Sequence, residues 1–369
     1  MNTEHLDVIA SEPPAIPADA VRGLLRREYG IDAERLRPLV SERDQNLRVT
    51  SAAGEFVFKI ANAAEDPAVT DFQIRALRHV EAGGLEVPAV PRLRLTLDGT
   101  DRVHVTDGSQ RHVARLVSWV PGVPLDAARL DAPLSRELGS GLGRLARALA
   151  DFDHPGTGQG LLWDLQRAPA LRHVLPSLGD PDERALVAAC LDEFESDAAP
   201  VLAGLPTQVI HNDGHAGNLL LDGGSPPRLA GVIDFGDMQR APLVVDVAVA
   251  AAYLRSQDDE LAFIAPFLAG YHAEAPLSAE ALGILPVLIC MRLATTIAVL
   301  GWRQSLRRDG DAYLAEAVAS EADARPFLER LRARPRAELA ERLAAALGGS
   351  PHGGEGGRAQ RRARAEISA

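Results

Sequence analysis

The sequence predicts an α+β fold of two lobes, in which a small antiparallel sheet precedes a larger and mostly helical part. Three observations support this prediction. The chain has 369 residues, of which 46% are hydrophobic, enough for a core in each lobe. Short segments of alternating apolar residues, separated by turns, occupy the chain up to residue 119. Apolar residues at helical spacing dominate beyond that point.

The first lobe is predicted to span residues 19–119, after a flexible segment of residues 1–18. It begins with a helix over 20–29. Asp66 followed by Pro67 predicts the start of a second helix, which extends to about residue 82. Strands are expected near 36–40, 45–50, 55–60, 91–97, 101–105 and 111–119, with hairpin signals at Asp98-Gly99 and Asp107-Gly108.

The second lobe is predicted to span residues 120–347, with a hinge where the strand pattern ends at residues 117–122. Residues 348–369 mix glycine, arginine and small residues without a period, which is typical of a disordered tail. A core stripe of leucines at helical spacing opens the second lobe: Leu134, Leu138, Leu142, Leu145 and Leu149.

Composition indicates a cytoplasmic protein whose partner is a small molecule. The net charge of −12 argues against nucleic-acid partners and suits a cationic ligand. The two cysteines, Cys190 and Cys290, form neither a disulfide framework nor a metal-binding spacing, which favours a reducing compartment. The first residues lack the basic start and apolar core of a signal peptide. No oligomeric state is predicted.

One segment, Ala281–Trp302, is apolar enough to suggest a membrane span. It contains Pro286 and a central Arg292, and an arginine at the middle of a bilayer costs about 2.5–3.5 kcal/mol on insertion scales. We therefore predict a buried helix and no membrane association.

The most informative motif is His-Asn-Asp-Gly-His-Ala-Gly-Asn at residues 211–218, followed by Asp-Phe-Gly at 234–236. Phosphorylation of a hydroxyl needs a carboxylate that accepts its proton and oxygen ligands for divalent metal. Asp213 has the position of the base, and Asn218 and Asp234 have the positions of ligands for Mg²⁺. Either half of the motif alone is weak evidence, but the order and spacing together are strong. His211 is expected to organise the loop.

Lys59 is the only lysine of the chain, whereas the other basic residues are arginines. It ends an alternating strand, 55–60, in which it shares one face with Val57. An ammonium on a flexible stem is suited to binding the α- and β-phosphates of a nucleotide. The alternative is an exposed lysine at a strand edge.

These residues resemble the aminoglycoside phosphotransferase and choline kinase superfamily, whose members have a protein-kinase-like fold. The resemblance covers residues 20–305. The sequence Arg-Asp-Gln-Asn at 43–46, the catalytic loop and Trp163-Asp164 are most similar to the hydroxylysine kinase branch. The resemblance implies transfer of phosphate from ATP or GTP to a hydroxyl of a small, amine-bearing substrate.

The chain differs from protein kinases in the first lobe. No Gly-x-Gly-x-x-Gly loop precedes the second strand, so polar groups such as Asn46 are expected to cover the phosphates. Backbone groups near Val117 and Trp119 are expected at the purine edge. The helix that should supply a carboxylate to Lys59 offers Asp71, which we favour over Gln73 or the preceding Glu65.

The second lobe differs as well, because no long activation segment follows Asp234 and a platform for peptide substrates is missing. A small acceptor is therefore expected. In the family an aspartate near this place braces the catalytic loop, and Asp246 has that position.

The resemblance makes 5-hydroxylysine the leading acceptor. Trp163, Asp164 and Arg292 are candidate substrate residues, with Arg292 facing a carboxylate. Each has a structural alternative: Trp163 as core, Asp164 as a helix cap, and Arg292 as the partner of a buried acid. Two functions remain as alternatives, a phosphotransferase of aminoglycosides or other amino alcohols and a nucleotide-binding pseudokinase without catalysis.

Overall fold

A computed structural model describes residues 11–125, 130–158, 160–306 and 312–348. The predicted fold class is confirmed, with an antiparallel sheet in the first part of the chain and helices in the second. The first lobe consists of α1 (Ala18–Tyr29), β1 (Ala33–Leu39), β2 (Gln45–Ser51), β3 (Gly54–Ile60), α2 (Pro67–Ala82), β4 (Leu93–Arg94), β5 (Val103–Asp107) and β6 (Gln110–Ser118).

The strands of the first lobe lie in the order β1-β2-β3-β6-β4, and β5 also pairs with β6. Alternation along the strands gives the sheet two different faces. One face packs against α1 in a core that includes Leu25, Val49, Phe58 and Leu116. The opposite face carries Lys59 and is turned toward the second lobe, where it pairs with Asp234.

The second lobe contains five short strands and nine helices among its described residues, with short segments of 3₁₀ and π helix between them. They are β7 (Val123–Pro124), α3 (Ala132–Ala148), α4 (Pro181–Glu193), α5 (Ala199–Leu202), β8 (Gln208–Ile210), β9 (Leu219–Leu221), β10 (Leu229–Val232), β11 (Gln239–Ala241), α6 (Leu243–Ala251), α7 (Ile264–Glu274), α8 (Ala279–Ser305), α9 (Ala312–Ser320), α10 (Ala324–Arg332) and α11 (Arg336–Gly348).

The strands around the catalytic motif form two small sheets. β9 pairs with β10 as a hairpin, and β7 pairs with the other edge of β9. β8 pairs with β11. The loop between β8 and β9 and the turn between β10 and β11 are thereby brought together, and these two connections carry the candidate active-site residues.

Helix α8 is long and apolar enough to cross a membrane by composition, but 83% of its most apolar 18-residue window lies inside the protein. It packs against α4, α6, α10 and α11. This burial agrees with the prediction of a core helix. The leucine stripe of α3 is also buried, with each of its leucines at most 4% exposed.

Flexible segments are expected at both ends of the chain, over residues 1–18 and 348–369. Residues 1–10 and 349–369, which include most of the expected flexible segments, lie outside the described residues. Residues 11–17 differ from the expected flexible segment, because Ile16 is 4% exposed and its backbone N–H and C=O bond the side chain of Gln45 at 2.8 and 2.9 Å.

The strand expected over 91–97 is reduced to Leu93–Arg94. Pro91 has no N–H to donate to a ladder, and Thr96 instead closes a local turn by accepting the N–H of Gly99 at 3.0 Å. The Asp98-Gly99 turn therefore does not join two paired strands, because β4 and β5 both pair with β6.

Candidate active site

The loop that follows β8 is held in an unusual backbone conformation. Asn212 has a φ of 61°, which is rare for residues other than glycine. Its N–H donates to Asp246 Oδ1 at 2.8 Å, and its side-chain Nδ2 donates to the carbonyl of Asp237 at 3.1 Å. These two bonds fix the backbone immediately before Asp213.

Asp213 lies in a polar pocket of its own loop. Asn218 Nδ2 donates to the Asp213 carbonyl at 3.0 Å and to its Oδ2 at 2.6 Å. Burial raises the pKa of the Asp213 carboxyl well above its usual range, and the nearby Asp237 and Asp234 add to that rise. Arg292 and the Asn218 bond act in the opposite direction. A carboxylate with these neighbours is suited to taking up a proton.

His211 links the loop to the strand that precedes Asp234. It is 1% exposed, and its Nε2 lies 3.1 Å from the carbonyl of Ile233, while its Nδ1 accepts the N–H of Asp213 at 3.3 Å. Burial lowers its pKa to about 4, so the ring is neutral at pH 7. These contacts are those of a structural residue rather than a metal ligand.

Asp234 follows β10 with a φ of 59°, and its carboxylate is about half exposed. Its Oδ1 lies 3.4 Å from Lys59 Nζ and accepts the N–H of Gly236 at 3.1 Å. The Lys59 ammonium, followed by Arg43, holds the pKa of the Asp234 carboxyl well below its usual range. The carboxylate is therefore ionised.

The side-chain oxygens of Asp234 and Asn218 are ligands that suit a hard divalent metal. Asp234 offers an ionised and accessible carboxylate. Asn218 uses its Nδ2 on Asp213, which leaves the Oδ1 of the same amide as the available oxygen. Mg²⁺ takes few protein oxygens and completes its shell with water and phosphate oxygens. Among the described residues no group of three or more His, Cys, Asp or Glu side chains could hold a metal by itself.

The sheet face above Asp234 carries the predicted nucleotide residues. Asn46 is the register partner of Lys59 across β2 and β3. It is 9% exposed, and its Oδ1 has no hydrogen-bond partner among the described residues. Val117 on β6 is the register partner of Val57 and is buried. These residues form one wall of a cleft whose floor is Asp234.

Trp119 differs from the expected role at the purine edge. Its backbone N–H donates to the carbonyl of Glu55 at 3.0 Å, so this group is already engaged. The indole ring lies under the guanidinium of Arg48, 3.9 Å from the ring centroid. Trp119 therefore contributes a side-chain surface to the hinge, and its amide is not available to a ligand.

The expected pair of Lys59 with Asp71 is wrong. Asp71 instead bonds Arg102 and lies 2.9 Å from His154 Nε2 and 3.5 Å from Arg75 Nε. It lies on the side of α2 that faces these basic groups, away from the cleft. Asp71 thus stabilises the attachment of α2 and does not orient the lysine.

Gln73 is the residue of α2 that reaches the cleft. Its Oε1 accepts a hydrogen bond from Arg115, and its Nε2 lies 3.5 Å from the carbonyl of Gly236. Arg115, on β6, is the register partner of Lys59 and is 3% exposed. Sequence reasoning missed Arg115, although an arginine inside the apolar segment 113–117 is a signal that could have identified it.

Arg43, which the sequence marks only through the resemblance at residues 43–46, connects the two lobes at the site. It is 7% exposed. Its Nη2 donates to Asp237 Oδ1 at 3.1 Å and to the carbonyl of Gly236 at 3.2 Å, and its Nε lies 3.6 Å from Glu65 Oε1. The turn after Asp234 is therefore tied to the loop before β2.

Of the three predicted substrate residues, Trp163 and Arg292 contact each other, whereas Asp164 caps a helix. Arg292 lies over the ring of Trp163, with its guanidinium carbon 4.8 Å from the ring centroid, and its Nη2 donates to Tyr253 Oη at 3.0 Å. Asp164 is buried and caps the 3₁₀ helix Leu165–His173 by accepting the N–H of Gln166 at 2.9 Å. Its contacts are those of the alternative considered for it, a helix cap.

Comparison with known proteins identifies relatives of this arrangement. The model of a family described as a phosphotransferase enzyme family matches residues 35–282. The chain is 24% identical over 329 residues to the hydroxylysine kinase of Mus musculus, covering 83% of the chain and 87% of that protein. It is 29% identical over 250 residues to a homoserine kinase of Neisseria meningitidis, covering 66% of the chain and 74% of that protein.

Among solved structures, an amicoumacin kinase in complex with AMP-PNP, Ca²⁺ and its ligand is similar with a TM-score of 0.65. Sequence identity is 16%, and the match covers 92% of the chain and all of that protein. This likeness supports the two-lobed fold independently of sequence.

Proposed function

The chain belongs to this phosphotransferase enzyme family, and from that membership we propose that it transfers the γ-phosphate of ATP or GTP to a hydroxyl of a small, amine-bearing metabolite. That it is a phosphotransferase acting on hydroxyl groups of small molecules follows from the family and its relatives. The finer statement concerns the donor, the metal and the acceptor. It depends on one observation, the convergence of Asp213, Asn218, Asp234 and Lys59 in a single cleft.

Asp213 is the proposed base. The acceptor oxygen attacks the γ-phosphorus, the bond from that phosphorus to the β–γ bridging oxygen breaks, and the nucleoside diphosphate leaves. The proton of the hydroxyl passes to the Asp213 carboxylate, whose raised pKa favours its uptake. Asn218 keeps that carboxylate in place through its Nδ2 bond.

Lys59 and Asn46 are proposed to bind the phosphates from the sheet above. The ammonium of Lys59 lies 3.4 Å from Asp234 Oδ1, beside the proposed metal ligand, and an ammonium at that place suits a phosphate oxygen. Mg²⁺ would be held by Asp234 and Asn218 and would neutralise charge on the transferred group. The amicoumacin kinase of similar fold was solved with AMP-PNP and Ca²⁺, which supports a nucleotide and a divalent metal as ligands of this chain.

The metal assignment predicts the behaviour of Asp234→Ala. Without its carboxylate, we expect the Mg²⁺ dependence of nucleotide binding to disappear in calorimetry. Asp222→Ala is the matched control, because that aspartate lies in an exposed turn, where its side chain accepts the N–H groups of Gly224 and Arg228. Equal Mg²⁺ dependence in Asp234→Ala and wild type would remove Asp234 from the site.

The leading acceptor is 5-hydroxylysine, because the mouse relative that covers most of the chain is a hydroxylysine kinase. The acceptor in the name of the homoserine kinase relative, homoserine, is also a hydroxylated amino acid. A cytoplasmic location fits a donor drawn from the nucleotide pool. Trp163 and Arg292 are proposed to border the acceptor, whereas Asp164 is proposed to support that wall as a cap.

The test is nucleotide consumption by the purified protein with 5-hydroxylysine, homoserine, choline, ethanolamine and several aminoglycosides, each with ATP and with GTP. Turnover with a hydroxylated amino acid supports the proposal. Turnover confined to aminoglycosides would replace it with the antibiotic-modifying alternative. Nucleotide binding without turnover on any acceptor would favour a pseudokinase.

A further inference from the structure

Arg292 is a buried cation with unused hydrogen-bonding capacity. It lies in the middle of α8 and is 3% exposed. Its Nη2 donates to Tyr253 Oη at 3.0 Å, but its Nε and Nη1 have no partner among the described residues. A guanidinium carries five N–H donors, and donors left unpaired away from water are costly.

The surroundings of Arg292 hold the guanidinium without using those donors. Its carbon lies 4.8 Å from the centre of the Trp163 ring and 5.8 Å from that of Tyr253. Aromatic faces attract a cation through their π-electrons and leave its N–H edge open. Within the described part of the chain no carboxylate lies within ion-pair distance of Arg292, and the nearby Glu321 is paired with Arg255.

The guanidinium is next to the proposed base. Its positive charge acts on the Asp213 carboxylate and opposes the rise that burial, Asp237 and Asp234 give to the pKa of that group. A chain of contacts also connects them, because the ring of Tyr253 lies 5.6 Å from that of His215, and His215 Nε2 lies 3.8 Å from Asp213 Oδ2. Arg292 therefore belongs to the side of the catalytic loop where the acceptor must bring its hydroxyl.

We propose that Arg292 binds a carboxylate of the acceptor, so that the substrate class is hydroxylated amino acids rather than amino alcohols or aminoglycosides. The inference rests on the proposed function and deepens it. A carboxylate matches the fork of the guanidinium and satisfies its open N–H edge. The acceptor is then held at two points, its hydroxyl at Asp213 and its carboxylate at Arg292.

This arrangement explains why the unpaired donors are tolerated. In the substrate complex they are paired, whereas an acceptor without a carboxylate leaves them buried and empty. A site built to pair a polar group rejects analogues that lack it by factors as large as about 10⁴–10⁵. We expect a discrimination of at least about 10² here, because part of the guanidinium is already satisfied by Tyr253.

The experiment compares two pairs of acceptors that differ only in the carboxylate. They are 5-hydroxylysine with 1,5-diamino-2-pentanol, and homoserine with 3-amino-1-propanol. For each pair the ratio of kcat/KM is measured in wild type, Arg292→Met and Arg292→Lys. A ratio within one variant cancels any general effect on folding or on Asp213. Arg330→Met is the control, because Arg330 also lies against an aromatic ring, that of Phe327, but pairs with Glu260 outside the site.

Wild type should prefer the amino acid by at least about 10², and Arg292→Met should reduce that preference to less than about 3-fold. Arg292→Lys should fall between them, since an ammonium keeps the charge and loses the fork. Arg330→Met should keep the wild-type ratio. An Arg292→Met enzyme that slows both members of a pair equally would overturn the carboxylate site and assign Arg292 to neutralising Asp213.

Failure of the proposed function gives a different result. Wild type that phosphorylates the amino alcohol as well as the amino acid would overturn the carboxylate site and leave the kinase intact. Absence of turnover with every acceptor would overturn the proposed function, and calorimetry then decides about Arg292. If the affinity for 5-hydroxylysine or homoserine is at least about 10-fold weaker in Arg292→Met than in wild type and is unchanged in Arg330→Met, the site is supported. Equal affinity in Arg292→Met and Arg330→Met overturns it.

Discussion

At the scale of single residues, the site holds one carboxylate ready for a proton and keeps another ionised. Burial and the charges of Asp237 and Asp234 raise the pKa of Asp213. Lys59 lies against Asp234 and lowers the pKa of that carboxyl. Two aspartates in one cleft are thus given different protonation behaviour by their neighbours, which is the arrangement that a base beside a metal ligand requires.

Asp213→Asn should separate catalysis from nucleotide binding. The amide keeps the shape of the side chain but cannot take the hydroxyl proton, so we expect turnover to fall by at least about 10². Nucleotide affinity by calorimetry should stay close to that of wild type, because Lys59 and Asp234 are unchanged. Near wild-type turnover in this variant would exclude Asp213 as the base.

Asp246 makes a pH-dependent contribution to stability. It is 2% exposed, and burial raises its pKa to about 6 despite bonds from Asn212 N and Tyr271 Oη. The unfolded chain has a lower value, near 3.9, so the folded state binds the extra proton between these pH values. The stability contributed by this group is therefore present below about pH 4 and is lost as pH rises through 6.

Asp246→Asn has no charge at any of these pH values; its Oδ1 can still accept the N–H of Asn212, and its Nδ2 can donate to Tyr271 Oη. Raising the pH from 4 to 7.5 should lower the unfolding free energy of wild type relative to Asp246→Asn by on the order of 3 kcal/mol. Urea denaturation of both proteins at the two pH values measures this difference. A difference that does not change with pH would show that the carboxyl titrates alike in the folded and unfolded chain.

At the scale of elements, local signals predicted boundaries well and side-chain partners poorly. Helix α2 begins at Pro67 after the Asp66 cap and ends at Ala82, as its sequence indicates. Its rotation against the sheet depends on tertiary contacts, so the sequence did not reveal that Asp71 faces Arg102. The same limit applies to Trp119, because its amide partner, Glu55, is distant in sequence.

Helices α3 and α7 approach each other so closely that their contact depends on glycine. A Cβ at Gly139 would lie 1.9 Å from the carbonyl oxygen of Phe267, and one at Gly270 would lie 2.0 Å from that of Arg136. Backbone atoms cannot move aside as a flexible side chain can. The two helices support the loop through α7, since Tyr271 bonds Asp246.

Gly139→Ala should destabilise the protein by about 1–3 kcal/mol or more, because the added methyl group overpacks this contact. Gly283→Ala is the matched control in helix α8, where no atom lies within 4 Å of the added Cβ. That change should stabilise by about 0.5–1 kcal/mol through the smaller entropy of the unfolded chain. Thermal unfolding should show a lower Tm for the first variant and a higher Tm for the second, and equal shifts would contradict the close contact.

At the scale of the whole molecule, charged groups connect the two lobes around the cleft. Arg43 reaches from the first lobe to Gly236 and Asp237 of the second. Glu42, in the same loop, pairs with Arg303 near the end of α8. The side chains of this second pair are 12% and 6% exposed. Because both lobes contribute a charge, the position of the loop before β2 is coupled to α8, which also carries Arg292.

The Glu42–Arg303 pair provides the test of this coupling. Burial raises the pKa of Glu42, and the neighbouring Arg43 and its partner Arg303 oppose that rise. Arg303→Met leaves the carboxylate buried without this partner, so we expect a loss of about 3–5 kcal/mol in unfolding free energy at pH 8. Adding Glu42→Gln removes the unpaired charge and should restore much of that loss, which urea denaturation of the two single variants and the double variant measures.

The unfolding free energy of Arg303→Met should depend on pH, because it contains the buried Glu42 carboxylate without its Arg303 partner. Without Arg303 the pKa of Glu42 in the folded state rises further. The loss of unfolding free energy in Arg303→Met should therefore shrink as pH falls toward 5, because the carboxyl then takes up a proton. Asp32→Asn is the control, because its pair with Arg26 is 75% and 77% exposed and should contribute no more than about 1 kcal/mol. Additive losses in the Glu42 and Arg303 variants would show that the lobes are not coupled through this pair.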